Sequence, residues 1–238
     1  MRHLALATDY DNTLAEHGRV DAPVRAALVR LRESGRRVVL LTGRRLEDLS
    51  TVCDCLDCFD YVVAENGAVA YEPTSRKIAT LARPLPGHFV AALESRGVEP
   101  LEVGRVIVAT QAPHEASVIE AVREAGLDVH VVFNREAIMV LPAGITKASG
   151  MKHALRSLGL SPHEVVGIGD AENDHSFLQL VECPVAVANA VDSVKQSAAL
   201  VTEGRAGAGV IELIDALVAN DLAHLEARLA RRHVAPGT

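Results

Sequence analysis

With 238 residues, a hydrophobic fraction of 49% and a formal net charge of −7, the chain has the composition of a globular protein, long enough for one sizeable core and a small second domain. The negative balance excludes a general nucleic-acid binder, which needs a basic face, and no apolar run reaches the roughly 18 residues of a membrane-spanning helix. The start Met1-Arg2-His3-Leu4 leads straight into a strand-like run rather than a leader peptide, so the expectation is a cytoplasmic monomer or homodimer without nucleic-acid or membrane partners.

Residues 4–8 predict a buried strand, and Asp9-Tyr10-Asp11-Asn12-Thr13-Leu14 follows it at once. In an open parallel sheet, ligands bind beyond the carboxyl ends of the strands, which sets Asp9 and Asp11 at the rim of a crevice. Asp-x-Asp-Asn-Thr is also good turn and capping material. One carboxylate of such a pair can be a nucleophile and the other an acid or base, provided a cation offsets their repulsion. Asp21, Pro23 and Gly35 punctuate a helix over 23–33, with Val24, Ala27, Leu28 and Leu31 at helical spacing. Strand 38–41, helix 46–52 and strand 61–64 complete a βαβαβ pattern, expected as a parallel sheet covered on both faces. Cys53, Cys55 and Cys58 read as free thiols at a helix end, because a single Cys-x-x-Cys has no second pair to complete a metal site.

Past Tyr71 the pattern changes, and Arg83-Pro84-Leu85-Pro86-Gly87 breaks the chain. Residues 83–144 read as an inserted α+β domain with strands over 105–110, 129–133 and 137–141, a helix over 114–125 and a short turn at Asn134-Arg135. The αβ alternation resumes with helix 146–158, strand 165–168, helix 173–181, strand 185–187 and helix 209–217. The core is therefore 1–82 with 145–218, followed by a charged helical tail or linker over 219–238.

Three further strand ends carry groups suited to phosphate chemistry. Thr42-Gly43-Arg44 offers a hydroxyl and backbone N–H groups where a helix begins, an arrangement that can hold phosphate. Lys147, one of only four lysines among 24 basic residues, opens a helix where the dipole disfavours a cation. Neutralising a nucleophile and a phosphate would give it a reason to be there. Gly167-Ile168-Gly169-Asp170-Ala171-Glu172-Asn173-Asp174 runs from strand into an acidic loop whose oxygens suit a hard cation, magnesium first. The glycines of 203–209 lack a P-loop lysine and read as a loop and helix start.

Taken in order, Asp9-Tyr-Asp-Asn-Thr-Leu14, Thr42-Gly-Arg44, Lys147 and Gly169-Asp-Ala-Glu-Asn-Asp174 resemble the four signature motifs of the haloacid dehalogenase (HAD) superfamily, specifically its phosphatases, over residues 4–218. The insertion between the second and third motifs, preceded by Ala64-Glu65-Asn66-Gly67-Ala68, resembles the Cof-like branch. The resemblance implies a doubly wound, Rossmann-like α/β core with a parallel sheet and a small α+β cap domain inserted in it. It implies a catalytic set of Asp9, Asp11, Thr42 and Lys147. Asp9 would attack phosphorus to give an aspartyl phosphate, and Asp11 would protonate the leaving alcohol and then activate water. Thr42 and the Gly43 N–H would hold the phosphoryl group, with Lys147 bridging it to Asp9, and Arg44 and Asn66 complete the implied substrate-binding set. Mg2+ would be held by Asp9, the Asp11 carbonyl and Asp170, with Asp174 orienting a metal water or Lys147; Asn189 matches another position near the site. The implied activity is Mg2+-dependent hydrolysis of a small-molecule phosphate ester, a sugar phosphate or phosphoglycolate, with the alcohol selected by the cap. A phosphomutase with the same intermediate and a phosphate-sensing regulatory domain are the alternatives.

Overall fold

The centre of the molecule is made by two short apolar strands, β1 (Ala5–Asp9) and β2 (Arg37–Leu41), paired in parallel and buried almost throughout, as strands between two helical layers must be. Between them runs α1 (Ala22–Glu33), whose start is fixed by the Asp21 carboxylate accepting the Val24 N–H at 2.9 Å. Its buried stripe of Val24, Ala27, Leu28 and Leu31 lies against the sheet. These are the coordinates of a computed structural model in which residues 1–134 and 136–223 are described. Arg135 of the expected turn and residues 224–238 of the expected tail lie outside the described residues.

The remaining elements are α2 (Leu46–Val52), β3 (Tyr61–Ala64), β4 (Val69–Glu72), β5 (Lys77–Thr80), α3 (Gly87–Ser95), β6 (Glu102–Val103), β7 (Val108–Gln111), α4 (Glu115–Ala125), β8 (Val129–Asn134), β9 (Ala137–Pro142), α5 (Lys147–Leu158), β10 (Val165–Gly169), α6 (His175–Leu178), β11 (Cys183–Ala186), α7 (Asp192–Ser197), β12 (Leu200–Val201) and α8 (Ala206–Asn220). The large sheet has the order β12-β11-β10-β1-β2-β3-β4-β5, and every pair from β12 to β3 is parallel. The expected parallel sheet is extended at one edge, where β4 and β5 add as antiparallel strands. β5 is mostly exposed, so it lacks the apolar run that announces a buried strand.

The cap sheet has the order β6-β7-β9-β8, antiparallel throughout, and its two faces are read off by alternation along β9. Ile138 and Val140 pack with Phe89 and Leu93 of α3 and Val118 of α4 in a separate small core. Met139 and Leu141, with Val106 and Ile107, join the main core. A one-residue slip would exchange the two sets, so burial on both faces fixes the register.

Three other expectations are adjusted. The strand expected from residue 105 begins at Val108, because 104–107 form a turn directed at the core. The helix expected over 173–181 is a 3-10 turn, Glu172–Asp174, running into the short α6, since the acidic loop's hydrogen bonds hold the chain in a tighter turn. Residues 219–223 are anchored rather than tail-like: α8 continues to Asn220, and the Asp221 carboxylate binds the Arg36 guanidinium at 2.8 Å and the Arg2 N–H. Among the described residues no helix is long and apolar enough to cross a membrane.

Candidate active site

Because β1 and β10 are neighbours in register, with Thr8 opposite Ile168, their carboxyl ends deliver Asp9 and Asp170 side by side. Gly169 lets the following loop fold back on itself, since a Cβ there would stand 2.5 Å from Asp174 Oδ2. That oxygen accepts the N–H groups of Asp170 at 2.9 Å and Ala171 at 3.0 Å. The Thr13 hydroxyl, from the first motif, donates to Asp170 Oδ1 at 3.0 Å.

Lys147 is brought in by the start of α5. Thr146 and Ser149 close a reciprocal capping box there, and α5 sits unusually near β3 and the turn after it. A Cβ on Gly67, at φ +108°, would lie 1.9 Å from the Thr146 carbonyl oxygen, and one on Gly150 would lie 2.4 Å from Val63 Cγ1. The result is an ammonium only 2% exposed, donating to Asp9 Oδ1 at 2.5 Å and Asp174 Oδ1 at 2.6 Å.

Two buried carboxylates thus share one ammonium, with a third, Asp170, beside them. Burial pushes the Asp9 carboxyl well above the usual carboxylate range; Lys147 opposes this, while Asp174 and Asp170 reinforce it. Burial acts to discharge Lys147, but Asp174 and Asp9 outweigh it and hold the ammonium charged. Ligand oxygens of Asp9, Asp170 and Asp174 all lie within 4.8 Å of one another, the one group of this kind among the described residues. An oxygen-only donor set carrying surplus negative charge fits a hard divalent cation such as Mg2+. Asp174 is already engaged through both oxygens, so it serves Lys147 and the loop as much as any cation.

Asp11 enters the same cavity but its carboxylate points elsewhere. Arg44 Nε and Nη2 donate to its two oxygens at 2.8 and 2.7 Å, a bidentate pair, and the guanidinium lies 5.6 Å from the centre of the Tyr10 ring. Asp11 is accordingly outside the three-carboxylate group. Thr42 is fully buried below the cavity, its hydroxyl accepting the Arg44 N–H at 3.1 Å, while Gly43 and Arg44 form the wall. Asn66 stands behind Gly43, donating to the Met139 sulfur and accepting from Asn173 at 3.0 Å. Asn189 binds the Asn12 carbonyl at 2.7 Å and the Ala206 N–H at 2.6 Å, tying the first-motif loop to α8.

The cavity over Asp9 measures about 420 Å³. Its cap side includes Pro100, Glu102, Gln111, Asn134, Glu136 and Met139, of which the sequence named only Asn134, and that as a turn residue. They come singly from strand ends and a hairpin, so no motif marks them. Thr13 and Asn173 were legible only as members of longer motifs. Cys53, Cys55 and Cys58 are free and buried, and they take no part in the acidic group.

Comparison with known proteins bears on this geometry. The sequence pattern of the haloacid dehalogenase-like hydrolases matches residues 6–99 and 98–214. The chain is 29% identical over 216 residues to a phosphoglycolate phosphatase of Methanothermobacter thermautotrophicus, covering 88% of this chain and 96% of that protein. It is 32% identical over 206 residues to a phosphoglycolate phosphatase of Halorubrum lacusprofundi, covering 82% of this chain and 89% of that one. Among solved structures, one from Thermoplasma acidophilum superposes with a TM-score of 0.76 at 16% identity, over 95% of this chain and 99% of that one. A HAD subclass IIB sugar phosphatase superposes with a TM-score of 0.70 at 20% identity, over 90% of this chain and 97% of the other.

Proposed function

Because the chain belongs to the haloacid dehalogenase-like hydrolases, we propose that it is a phosphatase that cleaves a small phosphate monoester through a covalent intermediate on Asp9. Residues 1–82 and 145–218 form the catalytic core in this reading, and 83–144 the cap. The observation that carries it is the buried Lys147 ammonium bound at once to Asp9 and Asp174, beside Asp170. A nucleophilic carboxylate must approach an anionic phosphoryl group, and a fixed cation in a water-poor site offsets that repulsion most as charge builds on the phosphoryl oxygens.

Asp9 attacks phosphorus, the bond to the alcohol oxygen breaks, and Asp11 gives that oxygen a proton. Asp11 then takes a proton from water, which attacks phosphorus, releases inorganic phosphate and restores Asp9. Both Asp11 oxygens are held by Arg44, so Asp11 acts as an acid only after turning from the guanidinium, which is then free to meet a phosphate oxygen. Thr42, Gly43 and Asn66 shape the loop that holds the transferring group. Asp9, Asp170 and the Asp11 carbonyl, with Asp174 in support, would hold a divalent cation such as Mg2+, which would supply further charge neutralisation.

For the alcohol, the names of the similar proteins favour glycolate, whereas the described cap wall favours a hydroxyl-rich group. Glu102, Gln111, Asn134 and Glu136 line the cavity with acceptors, and the Asn134 side-chain oxygen is buried with no partner among the described residues. Sugar hydroxyls would satisfy such acceptors, while a glycolate carboxylate would meet Glu136, with Glu102 already paired to Arg45. The test is phosphate release from 2-phosphoglycolate and a panel of sugar phosphates, with and without Mg2+. The reading requires Mg2+-stimulated release that Asp9→Asn abolishes; release unaffected by that change would overturn it.

A further inference from the structure

Glu65 is completely buried, yet what meets its carboxylate is backbone. Oε1 accepts the Arg105 N–H at 2.8 Å, and Oε2 accepts the N–H groups of Val106 at 2.9 Å and Ile107 at 3.1 Å. Three successive amides converging on one anion is the pattern with which turns bind free anions, here filled by a side chain reaching from the core into the cap. Gly104 leaves room for it, since a Cβ at that position would stand 2.6 Å from Glu65 Oε2.

The backbone of the same residue is tied in the opposite direction. The Glu65 N–H donates to the Arg44 carbonyl at 2.9 Å, and the Asn66 N–H to the Thr42 carbonyl at 3.0 Å. Glu65 and Asn66 both have φ +51°, a left-handed conformation that residues other than glycine hold only where their surroundings over-determine it. The loop 42–44 and the cap turn 104–107 are therefore fastened to one constrained dipeptide. Just before that turn, Pro100 and Glu102 form part of the cavity wall.

We propose that Glu65 is a positioning residue that couples occupancy of the 42–44 loop to docking of the cap turn 104–107, so that holding phosphate and closing over the alcohol are one event. The docking half stands on the hydrogen bonds alone; the coupling half rests on the phosphate-binding role given to residues 42–44 above.

Amide hydrogen exchange on the full chain, with and without Mg2+ and orthovanadate as a phosphoryl mimic, tests both halves. Losing or displacing an anion on which three backbone donors converge, those of Val106 and Ile107 buried, should raise exchange at 105–107 about tenfold or more in Glu65→Gln and in Gly104→Ala, with β1 and β2 unchanged. Vanadate should slow exchange at both 43–44 and 105–107 in the wild type, and only at 43–44 in Glu65→Gln. Unaltered exchange at 105–107 in both variants overturns the docking. Equal vanadate protection at 105–107 in wild type and Glu65→Gln overturns the coupling. If vanadate protects neither segment of the wild type, the phosphate reading fails and the coupling with it, while the variants still decide the docking.

Discussion

Lys147 is the residue on which the site's electrostatics turn, since among the described residues it is the one cation bonded to Asp9 and Asp174. Replacing it by methionine keeps much of the volume and leaves buried carboxylates uncompensated. We predict a fall in turnover of about 100-fold or more for Lys147→Met, and a lower urea midpoint in the absence of metal. A midpoint equal to wild type would mean that the carboxylates find compensation elsewhere. Asp11 gives a second prediction, because its role depends on the leaving group. Asp11→Asn should slow hydrolysis of alkyl phosphates far more than that of aryl phosphates with good leaving groups. Equal losses on both would remove it from proton transfer. At this scale the sequence was informative wherever chemistry and position coincide: Asp9, Lys147 and Asp170 stand at the ends of apolar strands or the start of a helix. It was silent on the Arg44–Asp11 pair, because residues 33 positions apart that meet only through the β1–β2 pairing leave no local pattern.

Among the elements, the start of α5 is the most constrained. Gly67→Ala would put a Cβ against the Thr146 carbonyl at a backbone angle unsuited to alanine, and the helix that carries Lys147 would have to move. We expect a destabilisation of about 3 kcal/mol and a loss of turnover beyond what the stability change explains; chemical denaturation alongside steady-state assays would show it. The junction of β1 with α8 makes a prediction about acid. Burial alone would raise the Asp221 carboxyl, but the Arg36 guanidinium and the Arg2 and His3 N–H groups bring it from the ordinary 3.8 down to about 2. A lowered carboxylate stabilises the fold above its unfolded value and loses that contribution as pH falls through its folded one. Asp221→Asn should therefore be less stable than wild type by about 1 kcal/mol near neutrality, with the gap closing between about pH 4 and pH 2 in urea titrations. Elements were legible where burial imposed an apolar run, as in β1, β2 and β3. Exposed β5, two-residue β6 and β12, and the 3-10 turn before α6 gave no such signal.

Over the whole molecule, the division of labour follows from topology. Parallel pairing of β10, β1 and β2 gathers the core residues at one edge, and a two-faced cap sheet covers them. The core half of the candidate site could be read from sequence because each motif is contiguous and stands at a strand end or, for Lys147, at a helix start. The cap half could not, because Glu102, Gln111, Asn134 and Glu136 meet at the cavity only after the antiparallel sheet has formed. In the proposed reaction Asp9 becomes phosphorylated during turnover. Rapid acid quench of Asp11→Asn with a hydrolysed phosphate ester, followed by peptide mass spectrometry, tests it most directly, since loss of the base should let the intermediate accumulate. We expect a phosphoryl adduct on Asp9 within the peptide Leu4 to Leu14; phosphate release with no adduct there, or an adduct on another residue, would rule out Asp9 as the nucleophile.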